Sequence, residues 1–358
     1  TKTTALDIPS GVEANSGVVQ EMAVQAQQTV TFALPKLGLL LYPGHKYVGQ
    51  LKIVDIGIPE QAIAEQEIET NLITADLAAR LLPRRDDNSH KGDYGKLLLV
   101  TGSTGMTGAA VLAARASLKM GAGLVTVGVP SSLNSILENK LIEAMTYPLS
   151  ETADGTLDIG ALEEIKNLIS SRDVLAIGPG LSTKVEAAKV VNDLLANIAK
   201  PMVIDADGIN NLDDLNVLKN RTNPTILTPH PGEMSRLIDK SIEEIEANRI
   251  QVARDFASEY GVVLVLKGSR TVVAAPGGAV YLNYSGNSAL ATGGSGDVLT
   301  GLITSLVGQG LTPADASVLA VYLHGLAAEI GSAELTKYSL VPSDVINYLP
   351  QAIKKIKK

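Results

Sequence analysis

From Lys96 onward, short apolar runs alternate with longer stretches of helical periodicity. That alternation restricts the chain to a mostly parallel sheet with helices on both faces. Lys96–Thr101, Leu124–Val129, Val174–Ile177, Met202–Ile204, Thr225–Leu227 and Val262–Leu266 read as strands. Gly108–Met120, Ile159–Ile169, Val185–Ile198 and Ile242–Tyr260 read as the helices between them. Thr271–Ala275 and Val280–Asn283 flank Pro276-Gly277-Gly278 and read as a hairpin. Two or three helices follow from Val298. Upstream, Thr4–Ile8, Gln28–Phe32 and Leu51–Ile56 read as three more strands. The acidic stretch around Glu60, Glu65, Glu67 and Glu69 separates the two regions, which sets expected domains at 1–68 and 69–358.

Composition removes several function classes. Apolar residues are 45% of the chain, enough for a large core, but aromatics are only 3% and Trp is absent. With a net charge of −8 and no basic block beyond the terminal Lys354–Lys358 stretch, a nucleic-acid partner is not expected. There is no Cys, which excludes disulfides and thiolate metal sites and suits a reducing cytoplasm. No apolar run approaches a membrane span of about 18 residues, and no signal peptide is visible. The chain opens Thr1-Lys2-Thr3-Thr4 without Met, and about sixty residues make a poor independent core. The upstream segment therefore reads as the end of a domain. Assembly into a homo-oligomer is expected.

Ligands in such sheets sit beyond the carboxyl ends of the strands, so the loops there are the candidates. Thr101–Gly108 carries G-x-x-G-x-x-G, not the dinucleotide fingerprint, and no acidic residue follows the next strand for a ribose. No Walker A motif occurs. Gly178-Pro179-Gly180-Leu181 leaves room for a ligand or is a plain turn. Asp205 and Asp207 end a strand, either to orient Mg²⁺ or a hydroxyl, or as a cap and a turn. His230 stands on a loop stiffened by Pro229 and Pro231, beside Glu233, and reads as a ligand contact or a structural His. Lys267-Gly268-Ser269-Arg270-Thr271 offers cations and hydroxyls to phosphate oxygens, or is an exposed basic turn. Thr292-Gly293-Gly294-Ser295-Gly296-Asp297 precedes a helix start. Its backbone N–H groups form an anion hole, and Asp297 stands beside it as a base for a hydroxyl attacking a phosphoryl group. The competing reading makes Asp297 an N-terminal cap.

Taken in order, these loops resemble the ADP/ATP-dependent NAD(P)H-hydrate dehydratases of the ribokinase-like superfamily. The resemblance runs from about Asp76 to the end. His90-Lys91-Gly92-Asp93-Tyr94-Gly95, Gly105–Ala110, Thr228–Glu233 and Asn287–Gly301 carry it. It implies dehydration of the S-epimer of hydrated NADH or NADPH, with ADP or ATP as co-substrate and Mg²⁺ beside the nucleotide. Asp297 would be the catalytic base, and Gly294, Ser295 and Gly296 the anion hole. Lys267, Gly268, Ser269, Arg270, Thr271 and Gly296 would hold the AMP part. Ala109 or Ala110, Gly180, His230 and Asp297 would line the hydrate site. Leu6–Gly11 and Phe32–Lys36 resemble the last part of the Rossmann-like NAD(P)H-hydrate epimerase domain. That likeness assigns Asp7 as its acid/base and Ser10 as a potassium contact, K⁺ being relevant only to an intact epimerase. The same fold also serves small-molecule kinases for vitamin precursors or sugars, which would leave a stable phosphate ester. A nucleotide-binding regulatory module would show no turnover.

Overall fold

A computed structural model describes residues 2–357. Two compact units emerge, one running to Asn71 and including Glu246–Asn248, the other formed by Leu72–Ile245 and Arg249 onward.

The first unit holds a parallel three-stranded sheet in the order β1 (Thr4–Leu6), β2 (Gln28–Phe32), β3 (Gln50–Val54). β2 lies in the middle, which is why it alone buries alternate residues, Thr29 and Thr31. Leu39 and Val48 are its best buried apolar side chains. Leu6 is 71% exposed, so β1 contributes little to that core.

The strands of the ten-stranded sheet are β4 (Thr70–Leu72), which spans the division between Asn71 and Leu72, and, in the second unit, β5 (Lys96–Val100), β6 (Leu124–Pro130), β7 (Met145–Leu149), β8 (Val174–Ile177), β9 (Met202–Ile204), β10 (Thr225–Leu227), β11 (Val263–Leu266), β12 (Val272–Ala274) and β13 (Val280–Leu282). Their order across the sheet is β4-β13-β12-β11-β10-β9-β8-β5-β6-β7. All neighbours from β11 to β7 are parallel. β12 runs antiparallel to both β11 and β13 and so forms the expected hairpin. β8 to β11 are buried along their whole length, which explains why all their residues but Thr225 are apolar.

The chain leaves β5 in one direction to β6 and β7, then returns to β8 on β5's other side. This reversal is a topological switch point, where a crevice opens at the carboxyl ends of β5 and β8. Two helices meet above it, Thr107–Lys119 and Ser295–Gly308. They touch at Gly301, where a Cβ would lie 2.3 Å from the Ala113 carbonyl oxygen, so only glycine permits the approach. Ser117 Oγ then donates to the Gly301 carbonyl at 3.0 Å. The helix Pro313–Leu335 is long and apolar enough to cross a membrane, but most of it is buried inside this unit.

Several elements differ from the sequence reading, short helices such as Ala75–Leu81 and Asn134–Glu138 among them. The helix expected over Ile242–Tyr260 is two helices, Ile242–Ala247 and Arg249–Tyr260. β4 and β7 were not read as strands; β7 has a largely exposed pattern and a Pro, as befits an edge.

Candidate active site

The loops singled out in the sequence gather at the carboxyl edge of the sheet. After β5, Ser103 Oγ donates to the Gly180 carbonyl at 2.8 Å, and Gly102 N–H to Pro179 at 2.8 Å, which joins the first loop to the second. A Cβ at Gly180 would stand 2.8 Å from Met106 Cβ and 3.2 Å from Ala109 Cβ. Gly180 and Ala109 therefore share one wall. Ala110 is fully buried. Of the two alanines implied by resemblance, Ala109 is partly exposed and Ala110 is buried, so Ala109 is the one whose side chain is open to a ligand.

The loop after β9 is the hub. Asp205 is 1% exposed. Its Oδ1 accepts from Lys267 Nζ at 2.6 Å and Thr228 Oγ1 at 2.7 Å, and its Oδ2 from Thr300 Oγ1 at 2.7 Å. Burial pushes this carboxyl up, but the Lys267 charge and the three hydrogen bonds outweigh it and hold the group below the usual range. Burial likewise opposes the Lys267 charge, and Asp205 with Glu233 more than compensates, so its ammonium is held above its ordinary value. Asp207 turns the other way. It accepts the Ser182 N–H at 2.8 Å and the Asn210 amide at 3.3 Å, fastening the loop after β8. Between them Ala206 sits at φ 49°, ψ −120°, a strained backbone for a residue with a Cβ.

His230 caps the helix Pro231–Ile238. Its Nδ1 accepts the N–H groups of Gly232 at 3.0 Å and Glu233 at 3.2 Å, which leaves the proton on Nε2, 3.3 Å from Glu233 Oε1. Glu233 is 4% exposed and also lies 3.8 Å from Lys267. Half of the His230 side chain stays exposed, so the capping role and an exposed imidazole edge coexist.

Asp297 stands in the first turn of Ser295–Gly308, half-buried, and among the described residues no donor bonds its carboxylate. Burial is the main cause that pushes its pKa up to about 7. Asp205 adds to the rise, Lys267 opposes it, and Asp207 adds less. Gly294 precedes it at φ +97°, a conformation that aims the following N–H groups outward. Ser295 N–H is engaged by the Thr292 carbonyl at 3.2 Å, so Ser295 offers no free backbone donor at this helix start.

Gly268 and Ser269 are exposed beside this turn. Thr271 Oγ1 donates to the Gly268 carbonyl at 3.2 Å and closes the turn from within. Arg270 is only 7% exposed; it lies over the Tyr284 ring at 4.3 Å and donates to the Ser269 carbonyl at 2.9 Å. Its guanidinium thus braces the loop more than it faces a ligand. The sequence reading missed Thr228 and Thr300 as donors and did not see Asp205 as an ion-pair partner. It also missed His324, which is buried on Pro313–Leu335 with an unbonded Nε2 and is pushed down to about 4 by burial and Lys267.

In the first unit, Asp7 Oδ1 accepts from Thr31 Oγ1 at 3.0 Å, from the Phe32 N–H at 3.3 Å and from Lys36 Nζ. Ser10 is exposed.

Sheet order, switch-point crevice and a glycine-rich helix start bearing one carboxylate define a ribokinase-like α/β enzyme. A solved ribokinase-like superfamily protein from Enterococcus faecalis matches this fold with a TM-score of 0.69 at 26% identity, covering 81% of this chain and 98% of that one. The solved ADP/ATP-dependent NAD(P)H-hydrate dehydratase of Bacillus subtilis, co-crystallised with ATP and Mg²⁺, matches with a TM-score of 0.71 at 33% identity over 80% of this chain and 98% of that chain. A family model described as NAD(P)H-hydrate dehydratase matches residues 97–351, and one described as the YjeF-related protein N-terminus matches residues 1–38. The chain is 45% identical over its whole length to a bifunctional NAD(P)H-hydrate repair enzyme of Moorella thermoacetica, of which it covers 68%. It belongs to the NAD(P)H-hydrate dehydratase family.

Proposed function

We propose that Asp297 is the base that starts the dehydration and that ADP is the phosphoryl donor. One observation carries this reading: a half-buried carboxylate, free of hydrogen-bond donors and pushed up to about 7, stands at an anion hole. Hydration places a hydroxyl on the nicotinamide ring, and hydroxide is a poor leaving group. Asp297 takes the hydroxyl proton as the oxygen attacks the terminal phosphorus of ADP. The bond from that phosphorus to the AMP oxygen breaks and AMP leaves. The phosphorylated oxygen then departs as phosphate, the neighbouring ring carbon gives up its proton, and the ring double bond re-forms. The N–H groups of Gly294 and Gly296 stabilise the transferring phosphoryl group.

Lys267, Gly268, Ser269 and Thr271 hold the AMP part together with Gly296, and Arg270 keeps their turn in shape. Ala109, Gly180, the exposed edge of His230 and Asp297 line the hydrate site. Mg²⁺ fits as an ion carried by the nucleotide phosphates and water. Asp205 and Asp207 are taken by protein donors, and among the described residues no group of three His, Asp or Glu forms a cage. A cytoplasmic homo-oligomer acting in metabolite repair completes the reading. The first unit is proposed as the end of an epimerase-like domain, residues 1–68, with Asp7 and Ser10 in the roles that the resemblance gives them.

The test is incubation with hydrated NADH, ADP and Mg²⁺. Return of NADH absorbance with equal release of AMP and phosphate is expected. A stable phosphate ester of another small molecule, with no NADH regained, would identify a kinase instead.

A further inference from the structure

We propose that Asp205 is a positioning residue for this reaction: its buried carboxylate locks the base-bearing helix to the strand ends and holds Lys267 away from Asp297. The inference rests on Asp297 being the base. Three donors from three separate segments converge on this one carboxylate. Thr228 ends β10, Lys267 ends β11, and Thr300 lies three residues beyond Asp297 on the same helix. Thr300 is therefore on the helical face that carries Asp297, one turn along. A fully buried, fully bonded carboxylate at that point fixes how far the helix start stands from the sheet.

The position of the cluster relative to the anion hole is also fixed. A Cβ at Gly296 would lie 3.3 Å from Lys267 Nζ and 3.6 Å from Asp205 Oδ2. The Asp205–Lys267 pair thus packs directly against the backbone of Gly296. Lys267 faces three carboxylates, Asp205, Glu233 and Asp297, and it hydrogen-bonds Asp205. Asp297 keeps its lone pairs for a substrate hydroxyl. The neighbouring strain at Ala206 persists only because the surroundings over-determine it, which suits a locked loop.

The charges around these groups are few. Asp297 faces Asp205 and Asp207 from the loop after β9 and Lys267 from the loop after β11. Lys267 faces Asp205, Asp297, Glu233 at the start of Pro231–Ile238, and the buried His324. Removing the Asp205 charge leaves Asp297 as the remaining carboxylate beside Lys267 on the site side, with Glu233 behind.

The experiment is Asp205→Asn in the full chain, assayed with hydrated NADH and ADP across pH, with Asp297→Asn beside it. We expect the turnover number to fall about tenfold or more, as a displaced and less basic group takes over proton transfer. KM for the hydrate should stay within about threefold. The acid limb of the turnover profile should move to lower pH by about one unit or more, because Lys267 now favours ionised Asp297. A folded Asp205→Asn enzyme whose acid limb keeps the wild-type position overturns the proposal, as does a loss confined to KM. Should Asp205→Asn fail to fold, Thr300→Val removes one tether without moving a charge. Its turnover should drop severalfold at unchanged KM and recover in Thr300→Ser; wild-type turnover in Thr300→Val overturns the proposal. If Asp297→Asn retains activity, the base assignment has failed. If Asp297→Asn is inactive and Asp205→Asn is unshifted, only the positioning role has failed.

Discussion

Asp7 and Asp297, one in each unit, are the two carboxylates proposed as acid/base groups, and although burial raises both, their hydrogen bonding and neighbouring charges leave one lowered and the other raised. Asp7 is bonded by Lys36, by the Phe32 N–H and by Thr31. The Lys36 bond above all holds it below the usual carboxylate range; burial opposes it, and the Phe32 and Thr31 bonds help Lys36 prevail. Among the described residues no donor bonds the Asp297 carboxylate, which is pushed up to about 7 by burial first and by Asp205 second. A carboxylate whose lone pairs are filled is a structural anchor until a substrate displaces its partners. One that is desolvated and left unbonded is already poised to accept a proton. The second unit obtains that state by filling Asp205 instead, so its ion pair and its base are separate residues.

Removing Lys267 is the harshest way to break the contrast. Lys267→Ala leaves Asp205 buried without its counter-charge, which costs about 3–5 kcal/mol. We expect that loss in a urea midpoint, together with weaker ADP binding by calorimetric titration. Arg270→Ala should weaken ADP less, because its stack on Tyr284 is worth about 0.5–2 kcal/mol and acts through the shape of the turn. Unchanged ADP affinity in both variants would rule out a phosphate site in this turn. Next in size is Asp297→Asn, which keeps the shape and removes the base. Turnover should fall at least ~10²-fold with nucleotide affinity nearly intact. A variant within a few-fold of wild type sinks the assignment.

Much of the second unit was legible because buried parallel strands announce themselves. Val174–Ile177, Met202–Ile204 and Thr225–Leu227 were read to the residue. Asn248 interrupts the expected long helix with no Pro or Gly to signal it. In the site, Asp297 and its glycine turn were visible because local chain geometry makes an anion hole. Asp205 was visible only as a carboxylate at a strand end. Its pairing with Lys267 spans 62 residues, and spacing carries no trace of such a contact. The brace on Arg270 was hidden for the same reason. A basic residue in a turn looks exposed until Tyr284, fourteen residues on, is found beneath it.

The same contrast predicts a stability effect of opposite sign to the usual loss. The folded pKa of Asp297 lies near 7, above its unfolded value of 3.8, so the fold penalises its ionised form. The penalty grows as pH rises from about 4 and is complete above about 7. Asp297→Asn removes it. Without ligand, the variant should be more stable than wild type at alkaline pH by about 2 kcal/mol, after discounting the full shift for partial exposure. The gain should vanish towards pH 4. Equal melting temperatures at pH 8 would show that the carboxylate is better solvated than its burial indicates.

For Asp7 the expectation is smaller and the sign reverses. Its folded pKa is lowered, so the pair with Lys36 contributes stability above the unfolded value of 3.8 and loses it as pH falls through the folded value. Lys36 and Asp7 are 30% and 39% exposed, so the pair is worth at most about 1 kcal/mol. Asp7→Asn should lower the stability of the first unit by no more than that at neutral pH and by nothing at strongly acid pH. Hydrogen exchange at the Thr29–Thr31 amides reads the change locally. Catalysis at Asp7 needs more than stability. An acid/base group works only where a pocket brings substrate within hydrogen-bond reach. Here Asp7 follows a three-residue strand whose Leu6 is mostly exposed, and its lone pairs are occupied by Lys36, Thr31 and Phe32. This chain alone should therefore fail to interconvert the two hydrate epimers when ADP is withheld, as followed by chromatography. Interconversion abolished by Asp7→Asn would show that three strands suffice to hold the substrate, and that Lys36 yields Asp7 to it.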